Sequence, residues 1–239
     1  MSRAVLQSCW VLHSRPYRET SVLLDLLSEE EGRVRCVMRG VRGDGKRARQ
    51  WRGVVQPFVP LQGSWSGRHE LGTVRQLEVD GMVNALHGTA LYCGLYVNEL
   101  LSRVLYPGEP VPGLLAMYAR LLERLSAVGH DALEPVLRAF ELDLLDALGL
   151  CPDFTSDAFS GAALQQHEHY RYLPESGFVT VMAGDPGLSG GVLLAMARRE
   201  FDDPAVRRSA KRLTRLLLAP LLGDKPLASR ALFESPASL

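Results

Sequence analysis

Cysteine is scarce and scattered. Cys9, Cys36, Cys93 and Cys151 lie far apart and form no close pair, so neither a disulfide framework nor a zinc ribbon has its sequence signature. They read as reduced thiols. Long apolar runs are missing too: Met1–Arg15 holds no signal-peptide core, and no segment reaches the roughly 18 uncharged apolar residues of a membrane span. A cytoplasmic protein without membrane contact is expected. No phosphate-cradling GxxxxGK[ST], no HExxH and no GxSxG occurs, and no histidine is visibly teamed with a nucleophile, which excludes a P-loop ATP motor and leaves no constellation for catalysis. Net charge is absent as well, with 27 basic against 27 acidic residues. A globally basic, purely electrostatic binder is therefore excluded.

The neutrality hides a pattern. Residues 1–80 carry 13 basic and 9 acidic groups (+4), residues 81–197 carry 5 and 13 (−8), and residues 198–239 carry 9 and 5 (+4). Both ends of the chain are basic and the middle is acidic, which suits a polyanion-facing surface built from the two ends. The most concentrated stretch, Arg33–Arg52, holds eight Arg/Lys and one acid, Asp44. Val34, Cys36 and Met38 alternate there with Arg33, Arg35 and Arg39, the pattern of a half-buried strand with arginines on its wet side. Gly40, Gly43 and Gly45 then turn it into a loop. Guanidinium forks on such a loop suit phosphate oxygens, and each neutralised phosphate releases counterions.

With 239 residues and an ordinary apolar fraction of 46%, the chain can bury a core on its own. Five short strands are predicted, at 4–13, 21–27, 33–41, 54–65 and 71–79, separated by turn signals. The turn at Ser28–Gly32 closes a hairpin, and its acids Glu29 to Glu31 read as a solvated tip. Pro57 and Pro60 bend the fourth run, as barrel corners require. An oligonucleotide-binding (OB) barrel fits. After Gly81, helices are predicted at 89–105, 113–128 and 132–148 from apolar residues recurring at three and four; Pro107, Pro110 and Pro112 part the first two, and Gly149 and Pro152 end the third. Residues 150–190 are irregular, with a hairpin from 170–173 and 178–182. Helices near 191–199 and 203–218 close an α+β chain of two domains: an OB barrel at 1–80 and a mainly helical domain at 81–239 with an irregular stretch and hairpin at about 150–183. On the last helix Arg208, Lys211, Arg212 and Arg215 share one face, while Val206, Ala210, Leu213 and Leu217 share another.

Six segments, VLHSRPYRETSVLLDLLSEEEGRVRCVMRGVR (11–42), QPFVPL (56–61), LYCGLYVNELLSRVL (91–105), LRAFELDLLDALG (137–149), AKRLTRLLLAPLLG (210–223) and KPLASRALF (225–233), occur in an order and spacing that resembles the bacterial RecO family of recombination mediators. The resemblance implies an OB-fold, a helical C-terminal domain and no enzymatic activity. It further implies binding of single- and double-stranded DNA, annealing of complementary strands, and help to RecA, together with RecR, in displacing the single-stranded DNA-binding protein SSB. Carried over residue by residue, the DNA surface falls on Arg15, Arg18, Arg33, Arg35, Arg39, Arg42, Lys46, Arg47 and Arg49, with Lys211, Arg212, Arg215, Lys225 and Arg230 added from the C-terminal part. Arg138 would receive the acidic, Phe-ended SSB tail beside a groove supplied by Leu142 and Leu145, unless it forms a helix pair with Glu134 or Glu141.

The chain departs from the family at one point. Many members carry a four-cysteine zinc site after the third helix, whereas only Cys151 stands here; with His167 and His169 it falls short of a ligand set, and neither zinc nor another cofactor is expected. Among the aromatics, Trp51 is the candidate for base stacking and Trp65 for barrel core. The chain is expected to be a monomer alone. An adaptor that docks partners without annealing DNA is the competing reading, and a nuclease lacks clustered metal-binding carboxylates.

Overall fold

The computed structural model describes residues 6–67, 71–182 and 185–233. Its contacts divide the chain into two units, Met1–His130 with Leu221–Leu239, and Asp131–Pro220. In the first, β1 (Gln7–Tyr17), β2 (Ser21–Ser28), β3 (Gly32–Met38), β4 (Pro60–Ser66) and β5 (Gly72–Val79) close a barrel in the order β1-β2-β3-β5-β4. Among the described strands only β3 and β5 pair parallel, through Cys36 with Gly72 and Val37 with Thr73. The period-2 alternation becomes the barrel core: Cys9 and Val11, Val22, Leu24 and Leu26, and Cys36 and Met38 point inward with Leu61 and Leu77. Burying each such side chain contributes about 1.5–3 kcal/mol relative to exposure. Trp65 packs against this core, as its strand position predicts.

Two expectations for the barrel need correcting. The stretch after β3 is not all loop: Lys46–Val54 forms a helix, α1. Trp51, Val54 and Val55 pack against the barrel core and Ala48 is buried, so Trp51 is half-buried rather than free in a loop. The fourth strand also starts six residues later than predicted. Pro57 has no amide hydrogen to give, Phe58 has a left-handed φ of 68°, and the ladder begins only at Pro60.

Within the same unit, α2 (Gly88–Val104) lies against β1 and α3 (Leu114–Ala127). Buried Asn98 on α2 donates to the Leu12 carbonyl at 3.0 Å and accepts from the Tyr118 hydroxyl at 2.6 Å, while Tyr118 meets Trp10 edge-on at 5.5 Å. Gly94 lets Leu86 and Phe58 close on α2, because a Cβ there would lie 2.7 Å from Leu86 and 2.8 Å from Phe58. Gly32 does the same for the β2–β3 hairpin: its φ is 63°, and a Cβ would lie 2.3 Å from the Glu109 carbonyl oxygen. A 3-10 segment, Ala228–Phe233, returns to α2, where Glu99 accepts from the Ala228 and Ser229 amides at 2.8 Å each.

The second unit holds α4 (Leu133–Ala147), a small sheet ordered β7-β6-β8 from β6 (His169–Leu173), β7 (Gly177–Thr180) and β8 (Leu188–Ser189), then α5 (Gly190–Ala197) and most of α6 (Pro204–Leu222). The hairpin is where the turn residues Pro174 to Gly177 place it; β8, two residues long, adds a third strand that the sequence did not signal. Asp157 organises the irregular stretch. Its carboxylate accepts from the Ser160 and Thr180 amides at 2.8 and 2.7 Å and from both hydroxyls, so it ties residues 157–160 to β7.

Candidate nucleic-acid interface

At one end of the barrel the β1–β2 turn and the loop after β3 are tied together. The Arg42 amide donates to the Thr20 carbonyl at 3.0 Å, and the Arg42 guanidinium donates to the Arg18 carbonyl at 2.9 Å. Arg18 itself has a left-handed φ of 52°, which turns its guanidinium over the Tyr17 ring at 5.3 Å. Arg39 follows β3, and α1 begins at Lys46 with Arg47 in its first turn. Arg18, Arg39, Arg42, Lys46, Arg47 and Arg49 are all exposed, and none meets a carboxylate in an ion pair among the described residues. The start of α1 has no acid in its first turn and Gly45 as a cap without a side chain. Cations there oppose the helix dipole at a cost of about 0.3–1 kcal/mol, which an anion would offset.

Arg33 departs from the expected solvated position. It is 7% exposed, its Nε and Nη2 bind both oxygens of Asp25 at 2.8 to 3.1 Å, and its Nη1 donates to the Leu105 carbonyl at 3.2 Å. Its fork is fully used: Nε and Nη2 tie β3 to β2 through Asp25, and Nη1 joins the barrel to the end of α2. The alternation that places it outside the barrel is correct, but α2 covers that side. Arg35, two residues on, is exposed and without an ion pair among the described residues.

Arg15, Arg35 and Lys225 line one cleft of about 710 Å³, walled by β1–β3 on one side and by α2 and the segment before Ala228 on the other. Sequence reasoning assigned these three to DNA separately, from opposite ends of the chain. It missed Glu99, Ser102 and Arg103, which line the same cleft, although Ser102 and Arg103 stand in the segment LLSRVL. Arg103 is committed to backbone, donating to the Leu222 and Pro226 carbonyls. Burial opposes ionisation of Glu99, but hydrogen bonds from Ser229 and Ala228 outweigh it and hold its carboxyl below the usual range.

In the second unit, Arg208, Lys211, Arg212 and Arg215 lie exposed along α6, opposite buried Val206, Ala210, Leu213, Thr214 and Leu218. Leu218 takes the inward place expected for Leu217, which is half-buried. Lys211 comes within 3.9 Å of Glu134, a loose pair that leaves it half exposed. Arg138 is not at an open groove. It is 6% exposed and bound to Glu141 at 2.9 Å, and Leu142 and Leu145 have no exposed surface at all. The helix pair with Glu141, one of the two alternatives for Arg138, is what forms. Arg230, in the first unit, is half-buried on the 3-10 segment.

Thiol chemistry has no support here. Burial pushes the Cys9 and Cys36 thiols up to about 12, and it pushes Cys151 up to about 11 despite Arg199 nearby. His169 opens β6 and His167 precedes it in a turn, both exposed; among the described residues no three His, Cys, Asp or Glu side chains gather as metal ligands. No helix among the described residues is long and apolar enough to cross a membrane.

A closed five-stranded barrel with a cluster of exposed cations at one end that meet no carboxylate among the described residues, joined to helices, defines an OB-type protein with a polycationic face. Comparison with known proteins is specific about which. The family model for the N-terminal part of recombination protein O matches residues 1–82, and the model for its C-terminal part matches residues 86–231. The DNA repair protein RecO of Actinobacillus succinogenes is 45% identical over 98% of this chain and 97% of its own length. That of Pseudomonas paraeruginosa is 46% identical over 99% of both, and that of Yersinia pestis 46% identical over 95% of this chain and 93% of its own. The chain belongs to the RecO family of DNA repair and recombination proteins, which are mediators rather than enzymes.

Proposed function

We propose that this chain anneals complementary single strands and, with RecR, assists the loading of RecA on SSB-coated DNA, in the bacterial cytoplasm at the nucleoid. The observation that carries the reading is the set of six exposed cations, Arg18, Arg39, Arg42, Lys46, Arg47 and Arg49, that no carboxylate neutralises among the described residues. Residues 1–80 act as the DNA-binding domain and residues 81–239 serve the partners. Two strands held on such a surface repel each other less, so their bases find complements without reference to sequence and without ATP. The basic face of α6, with Lys211, Arg212 and Arg215, adds a second phosphate-binding surface. Binding of RecR and of the acidic SSB tail rests on family membership. The Arg138 region would receive that tail only if its helix moved, because Leu142 and Leu145 are fully buried.

The test is the salt dependence of single-strand binding. Six phosphate contacts predict a slope of log affinity against log salt near roughly −4, at about −0.7 per contact. Replacing Arg39, Arg42 and Arg47 by Glu should remove about half of that slope. A shallow slope that the triple variant leaves unchanged would assign the cluster to solvated charge.

A further inference from the structure

We infer that the cleft between the outer face of β1–β3 and α2 is a docking site for an acidic peptide with one apolar anchor, an extended segment of a partner protein. The site goes beyond the annealing reading, none of whose six cations lines the cleft.

Strand register sets one wall. Arg15 on β1 stands across from Leu23 on β2, and Arg35 on β3 stands across from Asp25, so Leu23 has one arginine directly beside it and another on the diagonal. Directly opposed side chains have Cβ atoms about 5 Å apart, and diagonal neighbours are about 7–8 Å apart. The other wall is helical: Leu95, Glu99 and Ser102 follow one another at four and three along α2 and share one side of it. Lys225 closes the cleft from the segment after α6. Leu23 and Leu95 are each half-buried and keep apolar surface that the fold leaves uncovered.

The charges left over are all positive. Asp25 is held by Arg33, Glu99 by the Ala228 and Ser229 amides and the Ser229 hydroxyl, and Arg103 by the Leu222 and Pro226 carbonyls. Arg15, Arg35 and Lys225 are exposed and form no ion pair among the described residues. Beside them the Ser102 hydroxyl is buried without a partner, where such a group ordinarily has one. An occupant therefore has to bring anions, an apolar group and a hydrogen-bonding backbone together. A phosphodiester answers the cations but leaves the leucines uncovered, and apart from His13 no ring lines the cleft among the described residues for a base to stack on. A wholly apolar segment would cover the leucines and strand the cations away from water. In an extended peptide, side chains two residues apart lie on one face about 6.5 Å apart, close to the Leu23–Arg35 diagonal. An apolar side chain between Leu23 and Leu95 thus puts carboxylates two residues before and after it beside the cations, and its backbone beside the Ser102 hydroxyl. The volume of about 710 Å³ is in the range of sites that enclose a ligand of this kind.

The experiment measures binding of the full chain to a labelled peptide with glutamates two residues before and two residues after a single leucine. Its leucine-to-serine and glutamate-to-glutamine counterparts and an oligothymidylate are measured beside it. The chains are the unmodified one, Arg35→Glu, Lys225→Glu, Leu23→Thr, and Arg120→Glu on the exposed side of α3 as a charge control, with folding checked by tryptophan fluorescence. Removing the leucine or the glutamates should weaken peptide binding about tenfold each, and so should Arg35→Glu and Lys225→Glu. Leu23→Thr should erase the difference between the leucine and serine peptides, and Arg120→Glu should stay within about twofold. Oligothymidylate affinity should stay within about threefold in Arg35→Glu, since the cleft lies apart from the six-cation cluster. A folded chain that does not bind the peptide, equal binding of the leucine and serine peptides, or peptide binding indifferent to Arg35→Glu and Lys225→Glu would overturn the site. A tenfold loss of oligothymidylate affinity in Arg35→Glu without peptide binding would give the cleft to DNA instead. Peptide binding by a chain that binds no oligothymidylate would leave this site standing and remove the annealing reading.

Discussion

Arg33 and Arg35 differ by two positions in one strand, and they should answer the same kind of substitution in opposite ways. Replacing Arg33 by Met keeps the apolar stem and removes three hydrogen bonds to Asp25, at 2.8 to 3.1 Å, and one to the Leu105 carbonyl at 3.2 Å. Breaking a buried pair by removing one partner costs about 3–5 kcal/mol, because the other charge stays behind unpaired. The Asp25 side chain is 15% exposed and can recover some water, which puts the expected loss near the lower end, about 3 kcal/mol. All three tryptophans, Trp10, Trp51 and Trp65, lie in the barrel unit, so denaturant unfolding followed by their fluorescence reports on that unit. The double variant Arg33→Met with Asp25→Leu should recover most of the loss, and Arg33→Met should keep its DNA affinity where it is folded. The reasoning is refuted if Arg33→Met loses less than about 0.5 kcal/mol, or if its DNA affinity falls tenfold while its stability holds.

Charge reversal at Arg39 and Arg42, both exposed, should weaken binding of single strands about tenfold or more and change stability by about 1 kcal/mol or less, checked by anisotropy and denaturation on the same samples. Arg138→Ala leaves Glu141, 1% exposed, without its guanidinium, and should destabilise the Asp131–Pro220 unit by about 3–5 kcal/mol, read by hydrogen exchange because no tryptophan lies there. A fully stable Arg138→Ala protein that no longer binds the SSB tail would instead make Arg138 a docking residue. Asp157, whose carboxyl is held well below its ordinary value by amide and hydroxyl hydrogen bonds from Ser160 and Thr180 against the opposing effect of burial, contributes stability that is present above about pH 4 and lost as pH falls below it. Protection of β7 amides should therefore decline on acidification, and Asp157→Asn should be weaker at neutral pH and flatter with pH; an unchanged profile in Asp157→Asn would assign the acid sensitivity elsewhere.

The barrel was legible because its strands keep the two-residue period from Cys9 to Met38, and a period-2 face has one way to bury itself. Helix α1 was not, since Gly40, Gly43 and Gly45 dominate the stretch before it and few apolar residues, Ala48, Trp51, Val54 and Val55, mark the buried side. Strand alternation placed Arg33 outside the barrel correctly, yet says nothing of a helix that covers the outside; that contact pairs residues 33 and 105, a separation no local pattern encodes. Arg138 is the same case in a helix, where the i+3 acid Glu141 was visible but the burial of the pair was not. The exposed cations at the barrel end, by contrast, sit in turns and on a short helix, where sequence and solvent exposure agree.

The central claim is that phosphate neutralisation by the barrel surface brings strands together. Annealing of complementary oligonucleotides coated with SSB, full-length or lacking its C-terminal tail, across a salt series and without ATP, tests it most directly. The account predicts annealing that full-length SSB permits, that salt suppresses steeply, and that glutamates at Arg39, Arg42 and Arg47 abolish. Annealing that is indifferent to salt and to those glutamates, or no annealing by a chain that still binds its protein partners, would contradict it.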